Sequence, residues 1–148
     1  MIPVTQTKVV IHNKEGQEVV RGNCFPAVVA SILEVPISEV PNVEVFYHME
    51  GETYWAEVMQ TFLTSKGWEW SADNRYSVFH SGFDDSFSEE EKEKFKAKLK
   101  DTYYLGIGDS PRGIRHVCIY QNGLLAHDPH PSRDGLATLD RFESIEKT

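Results

Sequence analysis

Hydrophobic and polar positions first alternate near the N-terminus. There KVVI (8–11) and QEVV (17–20) flank the polar stretch His12-Asn13-Lys14-Glu15-Gly16, a pattern that predicts a β-hairpin over Lys8 to Val20. The chain then switches to small and apolar residues in GNCFPAVVASIL, behind Asn23, a good N-cap, and with Pro26 in a first helical turn where proline is tolerated. Apolar and small residues on several faces predict a helix packed closely by its neighbours. EVPISEVPNV, with Pro36 and Pro41, predicts an irregular connection with one short helical turn. From Thr53 to Lys66, Tyr54, Trp55, Val58, Met59, Phe62 and Leu63 recur at helical spacing and Gly67 supplies the stop. WEWS reads as a short strand, residues 74–87 carry no clear period, and Ser88 to Lys100 is a surface helix opened by a capping box of Ser88 and Glu91. In the last third, TYYLGIG and HVCIY are strands on either side of the SPRGIR loop. A tight turn at Asn122-Gly123 returns the chain as LAHD, and HPSRDGL is a loop. Hairpin, helices and then antiparallel strands make an α+β domain with the helices segregated from the sheet, spanning residues 1–148 as one unit.

Composition changes this picture little. A hydrophobic share of 40% fits a folded core. The formal net charge of −8 argues against a nucleic-acid binder, which needs a basic face. No apolar run approaches the length of a membrane span, and the N-terminus lacks the apolar core of a signal peptide. The cysteines are Cys24 and Cys118 alone, too few for a four-thiolate zinc site and unnecessary as a staple at this length. The expectation is a soluble cytoplasmic protein whose thiols stay reduced, without membrane or nucleic-acid partners and without a cofactor.

Candidate chemistry starts at Cys24, one residue after the helix cap. Free backbone N–H groups and the helix dipole favour the thiolate there, the reactive form. His116 opens the strand HVCIY and is the candidate base. The Asn122-Gly123 turn folds that strand back on LLAHD. A two-residue loop sets His116 opposite Pro129, and a three-residue loop with a bulge sets it opposite Asp128. Either register brings Asp128 beside His116, where its carboxylate orients the imidazole as in a triad. Oxyanion donors are sought near Cys24: its own N–H, with Asn23 beside it, and a glutamine. Pairing the N-terminal hairpin symmetrically, with His12 opposite Gln17, places Lys8 opposite Arg21 and Gln6 opposite Asn23. That favours Gln6 over Gln17 at the hairpin tip.

GNCFPAVVASIL resembles the nucleophile helix of papain-like and bacteriocin-processing-like cysteine peptidases. Taken with SPRGIRHVCIY and HDPHPSRDGL, the chain resembles small phage and bacterial proteins of that fold. The resemblance implies a nucleophile helix packed on a small antiparallel sheet, a Cys-His-Asp site at Cys24, His116 and Asp128, and a glutamine in the oxyanion hole. It also allows a phage-encoded origin, with action in a host cytoplasm. The chain departs from the plant and lysosomal enzymes, having neither their CGSCW-like signature nor a glutamine a few residues before the cysteine. Residues 68–100 match nothing in the family.

The activity expected is hydrolysis of a peptide or protein amide, or isopeptide, through an acyl-enzyme. Acyl transfer to an amine is chemically close, and a binding protein on the same fold that antagonises a host factor is the non-enzymatic alternative. Arg112 in the SPRG loop, His127 and His130 are expected along the substrate cleft. A metal at His116, His127 and His130 is not expected, because their spacing fits no standard zinc pattern. Cys118, two residues after His116 on the same strand face, is expected to pack in the core.

Overall fold

The computed structural model describes residues 1–12, 14–16, 18–20, 22–41, 52–83 and 86–148. The short strands β1 (Ile11–His12) and β2 (Glu18–Val20) form a hairpin. The helices are α1 (Cys24–Leu33), α2 (Glu52–Ser65) and α3 (Glu89–Lys98). A five-stranded antiparallel sheet follows, built from β3 (Trp68–Ala72), β4 (Tyr103–Asp109), β5 (Arg115–Gln121), β6 (Leu124–His127) and β7 (Arg141–Lys147) in the order β3-β7-β4-β5-β6. The molecule is thus mixed α+β. Among the described residues no helix is long and apolar enough to cross a membrane.

Strand alternation divides the core in two. Leu105, Ile107, Val117, Ile119 and Ile145 point to one face, where they meet Val28, Val29, Ala30 and Ile32 of α1 and Met59 and Leu63 of α2. This explains the small residues of α1: its buried positions run from Pro26 to Ile32 without a gap, so no polar face was available to mark its period. Phe25 extends the cluster, with its ring 4.8 Å from Trp70 and 5.5 Å from Trp55. Tyr104 and Phe142 point to the opposite face, with Tyr120 partly buried beside them. The 3₁₀ segment Asn74–Phe79 covers that side through Tyr76, and Leu99 at the end of α3 closes it. Layers therefore lie on both faces of the sheet, and β3 separates α2 from α3 along the chain. The helices are not set apart from the strands as the sequence order suggested.

β7 is an unpredicted strand, inserted between β3 and β4. Its sequence, RFESIEK, carries only two apolar residues because polar groups fill covered positions. Glu143 accepts a 2.9 Å hydrogen bond from the Trp70 indole, and the Ser144 hydroxyl lies 3.3 Å from that of Ser71. Cross-strand partners satisfy these groups, so a central strand forms without the apolar run usually expected of one.

Both hairpins depart from the symmetric pairings. At the N-terminus Ile11 faces Val20 and His12 faces Glu18, with a register shift between them, and the Asn23 N–H donates to Lys8 O at 3.1 Å. Lys8 therefore meets Asn23, because the bulge shifts the register, and Arg21, its expected partner, lies outside the described residues. Gln17 lies outside the described residues. In the second hairpin Asn122 and Gly123 both have positive φ, the signature of a two-residue type I′ turn, and Gln121 pairs with Leu124. A bulge then sets Ile119 opposite His127, where the strand β6 ends, and Asp128 follows it to His116. The ladder thus stops short of His116, which has neither Pro129 nor Asp128 as a strand partner, although the Asp128 side chain does arrive beside it.

The segment after the 130s loop crosses the sheet at Gly106 and Gly108. Ala137 N–H donates to Asp109 O at 2.7 Å, and Asp140 N–H donates to Ile107 O at 2.8 Å. A Cβ on Gly108, which pairs with His116, would lie 2.0 Å from Thr138 O. Gly108→Ala is therefore expected to cost about 3 kcal/mol, since a backbone strap has to move. A urea melt checks this, and a midpoint unchanged from wild type would refute the close crossing.

Candidate active site

The site forms where the N-terminus of α1 meets the start of β5 and the loop after β6. His116 and Asp128 are buried, at 5% and 2% exposure, while Cys24 is partly exposed at the helix end. Asp128 Oδ1 lies 2.7 Å from His116 Nε2. An ionised carboxylate only accepts, so Nε2–H donates, and Nδ1 is left for a second partner. A donor atom of Cys118 lies within 4.8 Å of one on this imidazole, and Cys24 at the helix end is near it.

Asp128 is held from three sides. Oδ1 also accepts the His130 N–H at 2.9 Å, and Oδ2 accepts the Gly135 N–H at 2.7 Å. The bond two residues on is an Asx turn, the ordinary use of Asp before Pro. The same carboxylate thus shapes the loop and holds the histidine. Arg133 pins this loop to the N-terminal segment, donating to Asp128 O and Thr5 Oγ1, both at 2.5 Å.

Electrostatics follow from this packing. Burial alone would push the His116 pKa down, but Asp128, Cys118 and Cys24 outweigh it and raise it from 6.5 to about 11. Burial likewise works to raise Asp128, yet the His116 bond and the two backbone N–H groups hold it well below the usual carboxylate range. Burial pushes the Cys118 thiol up, partly offset by His116. The linkage has a definite sign. The His116 contribution to stability is full below about pH 6.5 and is lost as pH rises toward about 11. The Asp128 contribution is full above its unfolded value of 3.8 and is lost on acidification. Wild-type stability is therefore expected to fall between neutral and alkaline pH more steeply than that of Asp128→Asn, as urea midpoints across that range would read.

Other residues expected at the site are distributed unevenly. Gln6 is buried and close: its Nε2 would sit 3.4 Å from a Cβ on Gly22, and its N–H donates to Pro129 O at 2.9 Å. One amide hydrogen goes to Lys8 O at 2.7 Å, leaving the other, while Oε1 has no partner. Asn23 is turned to the N-terminal segment. Its Oδ1 accepts from Thr7 N–H and Lys8 N–H, its Nδ2 donates to Thr7 Oγ1, and its backbone N–H goes to Lys8. Its side chain does not cap α1, because these contacts use it to fasten the N-terminal segment.

His127 turns toward the N-terminal segment. It is buried, with Nε2–H donating to Val4 O at 2.8 Å. His130 stays at the site, its ring 6.2 Å from that of His116 and nearly perpendicular to it. Its Nδ1 accepts the Ser132 N–H at 3.0 Å. Arg112 lies on the adjoining rim, donating to Ser132 Oγ at 2.9 Å with Asp134 at 3.9 Å, so it is tied to the loop. Three participants had no separate place in the sequence reading: the backbone N–H groups of His130 and Gly135, and the Cys118 thiol as a contact of His116. The Asp-Pro step signalled the first of these. The H-x-C spacing on one strand signalled the last.

No protein-family model, curated protein or solved structure matches this chain, so the chemistry of the site rests on the geometry above.

Proposed function

We propose that this protein is a thiol-dependent hydrolase of amide-type acyl bonds, peptide or isopeptide, on a papain-like α+β framework. The observation that carries the reading is a single buried imidazole, His116, held at Nε2 by Asp128, with Cys24 near it at the start of α1. In this reading Cys24 and His116 work as a thiolate and imidazolium. The thiolate attacks the substrate carbonyl carbon, and the carbonyl π electrons move to oxygen. The Cys24 N–H, at a helical position with no intrahelical acceptor, and the second Gln6 amide hydrogen stabilise that oxyanion. His116 passes its proton to the departing amine as the C–N bond breaks, leaving a thioester. Water then attacks the thioester, giving its proton back to His116 while the C–S bond breaks. Asp128 keeps the imidazole oriented throughout. An amine in place of water turns the same steps into acyl transfer.

Alkylation tests the reading directly on chelator-treated protein. Cys24 is expected to react with iodoacetamide near pH 6 at least about 10-fold faster than a free thiol, with the excess lost in His116→Ala. A rate no faster than a free thiol would refute it. Iodoacetate, an anion, also senses the imidazolium charge. Its rate is expected to fall only as pH approaches about 11, and in Asp128→Asn that limb should move toward neutral pH. A limb at the same pH in both proteins would separate Asp128 from the chemistry.

A further inference from the structure

Cys118 is a fully buried thiol that the proposed reaction does not use. It stands on β5 two residues after His116 and on the same face, and the bulge in the β5–β6 hairpin swings Asp128 toward both. One donor atom from each of His116, Cys118 and Asp128 lies within 4.8 Å of the other two, and all three residues are buried. A nitrogen, a sulfur and an oxygen donor are the types that zinc takes.

We infer that His116 Nε2, Cys118 Sγ and a carboxylate oxygen of Asp128 form a site for a thiophilic divalent cation, Zn²⁺ foremost. A tetrahedral zinc with bonds of about 2.0–2.3 Å sets its ligands about 3.5 Å apart. The present separations bracket that value, since Nε2 and Oδ1 would open from 2.7 Å and the wider pairs would close from at most 4.8 Å. The outer support of a metal site is also in place. The His130 and Gly135 N–H groups hold the carboxylate. This set differs from the histidines of the HDPH loop, because His127 is committed to Val4 O. Binding releases the Cys118 thiol proton and the proton on Nε2 to solvent, as the sulfur and nitrogen lone pairs go to the metal. Occupancy and the His116–Asp128 hydrogen bond are therefore mutually exclusive. Under the hydrolase reading, on which this consequence rests, the metal withdraws the base from proton transfer.

The test uses the full chain stripped by chelator. Titration with Zn²⁺ against a chromophoric chelator should show one stoichiometric site. Co²⁺ in its place should give a thiolate-to-metal charge-transfer band and tetrahedral visible bands in the wild-type protein. Cys118→Ser should weaken Zn²⁺ binding at least about 100-fold, whereas Cys24→Ala should keep it within about 3-fold. The low-field proton resonance of the His116 Nε2–H should vanish at one equivalent of Zn²⁺. A Co²⁺ complex without a thiolate band, or a Nε2–H resonance that survives saturation, overturns the site whether or not the Cys118 variant folds. Alkylation of Cys24 is measured without metal, so failure of the hydrolase reading and failure of the metal site give different results.

Discussion

Asp128→Ala is expected to destabilise the protein by about 3–5 kcal/mol, the cost of leaving one member of a buried charge pair without its partner. His116 would remain at 5% exposure with no acceptor for Nε2–H. The His130 and Gly135 N–H groups would lose their acceptor as well, so the loop that carries them would loosen. The effect is not one hydrogen bond, because a single carboxylate links β5 to both ends of the 130s loop. Asp128→Asn separates charge from shape. It retains an acceptor oxygen and the side-chain volume, so its loss should be clearly smaller. Chemical denaturation of the three proteins at neutral pH checks this. An alanine variant within about 1 kcal/mol of wild type would mean the pair is exposed in solution.

The second large effect concerns reactivity. Cys24→Ala is expected to abolish covalent labelling at that position and to lower turnover of an activated acyl substrate such as p-nitrophenyl acetate by about 10⁴-fold or more. Stability should change little, because Cys24 is only partly buried at the first turn of α1. Its thiol is not required to hold the helix, whose buried face runs from Pro26 to Ile32. A variant that turns over substrate like wild type would remove Cys24 from the mechanism. If the protein instead carries out its biological role undiminished as Cys24→Ala, the binding-protein alternative replaces the hydrolase.

Local signals explain which elements were legible. The capping box of α3 forms as predicted, with Ser88 Oγ accepting from Glu91 N–H and Glu91 accepting from Ser88 N–H, both at 3.1 Å. The Asn122-Gly123 turn was equally clear, since few residue pairs accept positive φ twice in succession. β7 was not legible, because Glu143 and Ser144 are satisfied by residues more than seventy positions away. Residues 74–79 were not legible either. Their 3₁₀ turns are held by the Asp73 cap and by Tyr76 stacking 4.2 Å from Tyr104, neither of which leaves a period.

The sequence by itself determined the candidate trio, the helix start that carries Cys24 and the turn that returns Asp128 toward β5. These depend on residue types within a few positions of one another, where backbone preference and strand alternation act directly. Tertiary structure decided the rest. It set the bulge that places His127 opposite Ile119, turned Asn23 and His127 toward the N-terminal segment, and left Gln6 with one amide hydrogen to spare. The physical reason is that a polar side chain goes to the nearest unmet partner. For these residues that partner lies on another element, at a distance that spacing along the chain does not encode.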